Sequence, residues 1–103
     1  MINASDVARY QRDGYLVIPG VFSAAEVADL QRVTDEFVEA SRKVSSHTEV
    51  FDLEPGHTAQ KPRLRRIKTP SRFHEVYARA VRHPGIVAVL QALWGPNIRF
   101  DLS

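Results

Sequence analysis

The stretch Asp13-Gly-Tyr-Leu-Val-Ile-Pro-Gly-Val-Phe-Ser-Ala-Ala-Glu-Val27 leaves this chain few choices. Gly14 can take the left-handed backbone that ends a helix. Tyr15 to Ile18 is aromatic or β-branched except for Leu16, and it is too short for a helix, so it reads as a strand. Pro19-Gly20 breaks that strand. Ser23 and Glu26 have the spacing of a capping box, in which the hydroxyl accepts from the amide three residues on and the Glu reaches back. Phe22 and Val27 occupy the two positions of a hydrophobic staple around that cap. Helix stop, strand, turn and helix start are thus predicted in one short run.

The rest of the chain is read outward from this junction. Asn3 can cap a first helix, with Asp6 favourably placed for the helix dipole, and Ile2 and Val7 repeat the staple spacing. That helix shows only a short apolar face at Val7 and Tyr10, so it docks rather than standing alone. A second helix is expected from Ser23 to about Lys43. Its Val27, Leu30, Val33, Thr34, Phe37, Val38 and Ser41 fall on one side and most of its charges on the other. Glu49 to Leu53 and Arg63 to Lys68 read as short strands separated by the turn Glu54-Pro55-Gly56 and a polar loop ending at Pro62. Thr69-Pro70 opens a helix with the hydroxyl as cap, burying Phe73, Val76, Tyr77, Ala80 and Val81. His83-Pro84 repeats the opening. The helix that follows has the most apolar face in the chain, with Trp94 as a core residue, and Gly95-Pro96 stops it. Ile98 to Leu102 alternates apolar and polar side chains, as a last strand would. The fold class read from these elements is α+β.

With 103 residues, the chain is a single unit, residues 1–103, or a piece of one. No run approaches the roughly 20 apolar residues of a membrane span, and Met-Ile-Asn-Ala-Ser-Asp is not a signal-peptide start. The absence of cysteine excludes disulfides, thiolate metal sites and a cysteine nucleophile, and fits a cytoplasmic location. The net charge of +2 is too small to argue for nucleic acid.

The order helix, DGYLVIPGVFS, helix resembles the N-terminal opening of the phytanoyl-CoA dioxygenase family. The segments VFDLEPGHT, RLRRIK and LWGPNIRFDLS resemble the same family in the same order. The resemblance implies a non-haem Fe(II), 2-oxoglutarate-dependent oxygenase. Such an enzyme oxidises 2-oxoglutarate to succinate and CO2 with O2 and hydroxylates a C–H bond of a small-molecule substrate. It also implies a double-stranded β-helix barrel carrying the iron, which these residues would flank and which is absent from this chain. In the family the iron is held by a His-x-Asp pair and a distant His.

No His-x-Asp pair occurs here, and His47, His57, His74 and His83 are read as cap, surface or structural residues. No metal or catalytic residue is therefore assigned. The most basic stretch, Arg63 to Lys68, has three readings. On a regular strand Arg63, Arg65 and Ile67 share one face, and Leu64, Arg66 and Lys68 the other. The strand is a charged edge that discourages unwanted pairing, a cosubstrate site, or a phosphate-backbone contact. The last is weakest, because no aromatic residue is interleaved to stack on bases. The family resemblance places a basic residue just before Ile67 that helps to hold 2-oxoglutarate, and Arg66 matches that position. A guanidinium suits the role because it pairs bidentately with a carboxylate. Asp52 and Glu54 belong to the hairpin. Asp101 is read as a solvent-facing alternate, or, by the resemblance, Asp101 or Ser103 lies near the cosubstrate.

Two functions remain in view. One is the N-terminal part of an Fe(II)/2-oxoglutarate-dependent dioxygenase, inactive and without cofactor as residues 1–103 alone. The other is a small binding or interaction domain with an Arg-rich strand. In the first case the apolar helix faces exceed what the chain can cover, so self-association is expected.

Overall fold

The computed structural model describes residues 2–101. Helix α1 (Ala4–Asp13) starts at a full capping box: the Asn3 side chain accepts the Asp6 amide at 2.9 Å, and the Asp6 carboxylate accepts the Asn3 amide at 3.0 Å. It ends at Gly14, whose φ of 82° is the left-handed turn that a side chain would resist. Helix α2 (Ala24–Ser41) opens with the same reciprocal pair, Ser23 Oγ accepting from the Glu26 amide and Glu26 Oε1 from the Ser23 amide. Strands β1 (Phe51–Leu53) and β2 (Leu64–Ile67) pair antiparallel. A 3-10 turn at Pro70–Arg72 leads into α3 (Glu75–Val81) and α4 (Pro84–Trp94). The described residues thus form four α-helices and one two-stranded sheet, an α+β arrangement.

The predicted stripe of α2 organises the packing. Val33 and Ser41 are fully buried, and Phe37 meets Phe51 of β1, His74 and Tyr77 of α3 edge-on, with ring centroids 6.2–6.4 Å apart. Thr34 on the same stripe hydrogen-bonds the Tyr77 hydroxyl. The buried apolar side chains are Val33, Phe51, Leu53, Val76 and Val89, drawn from α2, the hairpin, α3 and α4.

Several expectations are corrected. Tyr15 to Ile18 is extended and keeps an alternation, Leu16 and Ile18 half-buried, Tyr15 and Val17 exposed, but it forms no strand. Ile98 to Asp101 likewise forms no strand, while Leu102 and Ser103 lie outside the described residues. A strand is completed by a neighbour's backbone, and neither segment finds one among the described residues. Thr69 does not cap a helix. It sits in left-handed backbone, φ 43°, with no side-chain cap bond, and α3 begins later with His74 as its cap. Trp94 is not a core residue: it is 61% exposed, and its indole N–H donates to the Tyr10 hydroxyl, tying α4 to α1. Phe22 lies 4.6 Å from the His83 ring, and Val27, its expected staple partner, is exposed.

The molecule is long and open, 50 × 26 × 22 Å. It exposes 7465 Å², against about 5,800 Å² for a compact chain of this length.

Candidate functional site

The hairpin does not alternate as a regular strand would. Phe51 pairs with Ile67, Asp52 with Arg66, and Leu53 with Leu64, so Arg65 has no residue opposite it. This one-residue bulge puts Leu64 and Ile67 on the inner face together and turns two successive arginines outward. The expected faces, Leu64 with Arg66 and Arg65 with Ile67, are therefore wrong. The register of the pair, and not the period of the strand, decides them.

Each outward arginine meets an acid of β1 or the turn after it. Arg65 Nε donates to Glu54 Oε1 at 3.2 Å, which raises the guanidinium pKa further. Arg66 Nε donates to Asp52 Oδ2. Lys68 Nζ donates to Asp52 Oδ1 at 3.1 Å and to the Thr48 carbonyl at 2.6 Å. The Asp52 carboxyl is accordingly held below the ordinary aspartate range, first by the Arg66 hydrogen bond and then by Lys68. Asp52 and Lys68 were not singled out as site residues in the sequence. The pairing of Asp52-x-Glu54 with Arg65-Arg66 across a hairpin was the available signal.

Arg66 and Lys68 line an open cleft of about 650 Å³, together with Thr69, Ser71, Phe22, Tyr77, Val81, Ile86, Phe100 and Asp101. Arg65 lies elsewhere, in a second cleft with His47, Glu54 and His57. The larger cleft combines cations and hydroxyls with aromatic and aliphatic surface. Its chemistry suits an organic carboxylate, head on the cations and carbon chain on the apolar wall. Asp52 takes only the Nε side of the Arg66 guanidinium, and a guanidinium has five N–H donors, so the Nη groups remain for a second acceptor. Asp101, exposed, stands in the same cleft.

The four histidines are built into the backbone. His47 Nδ1 accepts the Leu53 amide and His57 Nδ1 the Arg63 amide. His74 Nδ1 accepts the Val76 amide and His83 Nδ1 the Gly85 amide. His57 Nε2 faces the carbonyls of Ser41 and Val44, fastening the end of α2 to the hairpin loop. His83 Nε2 meets the Glu26 carboxylate at 2.8 Å. The expectation that the chain holds no His-x-Glu spacing either is wrong, since His47-Thr48-Glu49 has it, but Glu49 is exposed and His47 Nδ1 is engaged by the Leu53 amide. No cluster of three or more His, Asp or Glu side chains able to hold a metal ion exists among the described residues.

A capped helical layer over a short hairpin, with Arg66 and Lys68 on the wall of an open cleft, makes an α+β unit. Residues 10–100 match the sequence profile of the family described as Phytanoyl-CoA dioxygenase (PhyH), and the chain belongs to that family. It is also 29% identical over 100 residues to a protein of Stutzerimonas stutzeri named "Probable alpha-ketoglutarate-dependent hypophosphite dioxygenase". That similarity covers 97% of this chain and 35% of the relative, so the chain spans about a third of the relative's length. No solved structure matches it. No helix among the described residues is long and apolar enough to cross a membrane.

Proposed function

We propose that this chain is part of an Fe(II)- and 2-oxoglutarate-dependent dioxygenase acting on a small molecule, and that Arg66 is a ligand of the cosubstrate. The family match and the relative's dependence on alpha-ketoglutarate support the class. The observation that carries the residue is the place of Arg66 on the wall of the cleft, next to Lys68, with apolar surface beside it. The described residues do not fit the iron, since their histidines are committed to backbone amides. The metal would be held by a barrel outside these residues. That metal would supply the activation of O2, whose four-electron reduction would draw two electrons from the oxidative decarboxylation of 2-oxoglutarate to succinate and CO2 and two from the substrate C–H bond that is hydroxylated. Within this chain Arg66 would bind and orient one of its carboxylates.

The exposed surface agrees with this reading. An open shape with few buried side chains is what a layer packed against a larger body would show once taken alone. The alternative, an interaction module with a basic strand, is not favoured, because residues 10–100 match a dioxygenase family.

The test uses the whole enzyme. Arg66→Ala should raise the KM for 2-oxoglutarate at least about tenfold, the equivalent of roughly 1.4 kcal/mol. Arg65→Ala, which alters the other cleft, should change it little. Equal effects of the two substitutions, or an effect of Arg65 alone, would overturn the assignment.

A further inference from the structure

The cluster around Asp52 is graded in burial. The Asp52 side chain is 15% exposed, Lys68 30% and Arg66 66%. Lys68 is pinned at its far end by the Thr48 carbonyl, Asp52 lies between the two cations, and only Lys68 and Arg66 reach the cleft. The order Thr48, Lys68, Asp52, Arg66 is therefore a chain of charge-assisted bonds running from a fixed end to an open one. An arginine with most of its side chain in water would otherwise sample many rotamers.

We propose that Asp52 is a positioning residue, which holds the Arg66 guanidinium by its Nε side so that the Nη groups are presented to a carboxylate in the cleft. The inference rests on the reading of Arg66 as a 2-oxoglutarate ligand. It makes a counter-intuitive demand, because Asp52 is itself an anion beside an anion site. If it acted only through its charge, removing it would strengthen anion binding. The competing effects are a repulsion that the two cations flanking Asp52 already offset and the loss of a fixed guanidinium. Pairing with Arg66 and Lys68 weakens the first and leaves the second intact, so positioning dominates. Glu54 provides the control, since it is the same charge on the same hairpin but its partner, Arg65, belongs to the other cleft.

The experiment follows the arginine side-chain Nε–H signals of the whole enzyme by NMR while 2-oxoglutarate is added. Before any addition, the Arg66 signal should be sharper and slower to exchange with water than that of Arg99, which is exposed. The Arg66 signal should then shift saturably. Asp52→Asn should weaken that binding at least about threefold, the worth of a few immobilised rotamers. Glu54→Gln should leave it unchanged. No saturable shift at Arg66 would overturn the reading of Arg66 itself. A shift that persists with equal or tighter affinity in Asp52→Asn would leave that reading in place and overturn this one. Should Asp52→Asn fail to fold, the wild-type signal still decides: an Arg66 as mobile as Arg99 overturns positioning.

Discussion

At the scale of single residues, the ionic state of Asp52 is the variable most exposed to control. Hydrogen bonds from Arg66 and then Lys68 hold its carboxyl below the usual range. A carboxyl depressed in the folded state stabilises that state above its unfolded pKa of about 3.9, and the contribution is lost as pH falls through the folded value. Denaturant unfolding from pH 6 downward should therefore show a loss of stability starting near pH 4 that is smaller in Asp52→Asn. Parallel curves for the two proteins would show that the pair is ornamental to the fold. Arg66 is singled out in the sequence only by the family resemblance, through its place before Ile67. Its partner is not, because the pairing of Asp52 with Arg66 depends on a register set across the hairpin. The exposure of Trp94 was equally hidden. Its helical neighbours made it look buried, and only the placement of α4 against the small helix α1 leaves it in the open.

Among the elements, the Ser23–Glu26 capping box and the Asn3 cap were readable residue by residue because a cap is decided within four positions, while the return bond from Asp6 to Asn3 was not read. Ser23→Ala should destabilise the fold by about 1 kcal/mol, the ordinary worth of such a cap. Glu26 does more than its sequence position suggests. Its carboxylate holds both the Ser23 amide and the ring of His83, which in turn caps α4. Glu26→Ala should therefore cost at least as much as Ser23→Ala, as measured by thermal melting of both variants. A milder Glu26 variant would mean that the α2 and α4 starts are independent. The elements misread from sequence share one cause. Tyr15–Ile18 and Ile98–Asp101 have the composition of strands, but composition supplies no partner. The Arg65 bulge likewise exists only in the ladder, where two residues of β2 answer one of β1.

For the whole molecule, the surface left open is the dominant property. Tyr15, Val17, Trp94 and Phe100 are each more than half exposed, and the area beyond that of a compact chain is large. We expect residues 1–103 on their own to bind a hydrophobic dye and to self-associate as concentration rises. A chain that stays monomeric, binds no dye and melts in one sharp transition would show that this surface needs no cover. The shape bears on how such a result is obtained. A radius of gyration of 17.1 Å is that of a compact protein of roughly 220 residues. On a sizing column a lone copy would then run close to where a compact dimer is expected, and elution volume would mistake length for mass. Light scattering or sedimentation equilibrium, which weigh the particle whatever its outline, would separate the elongated monomer from a true pair.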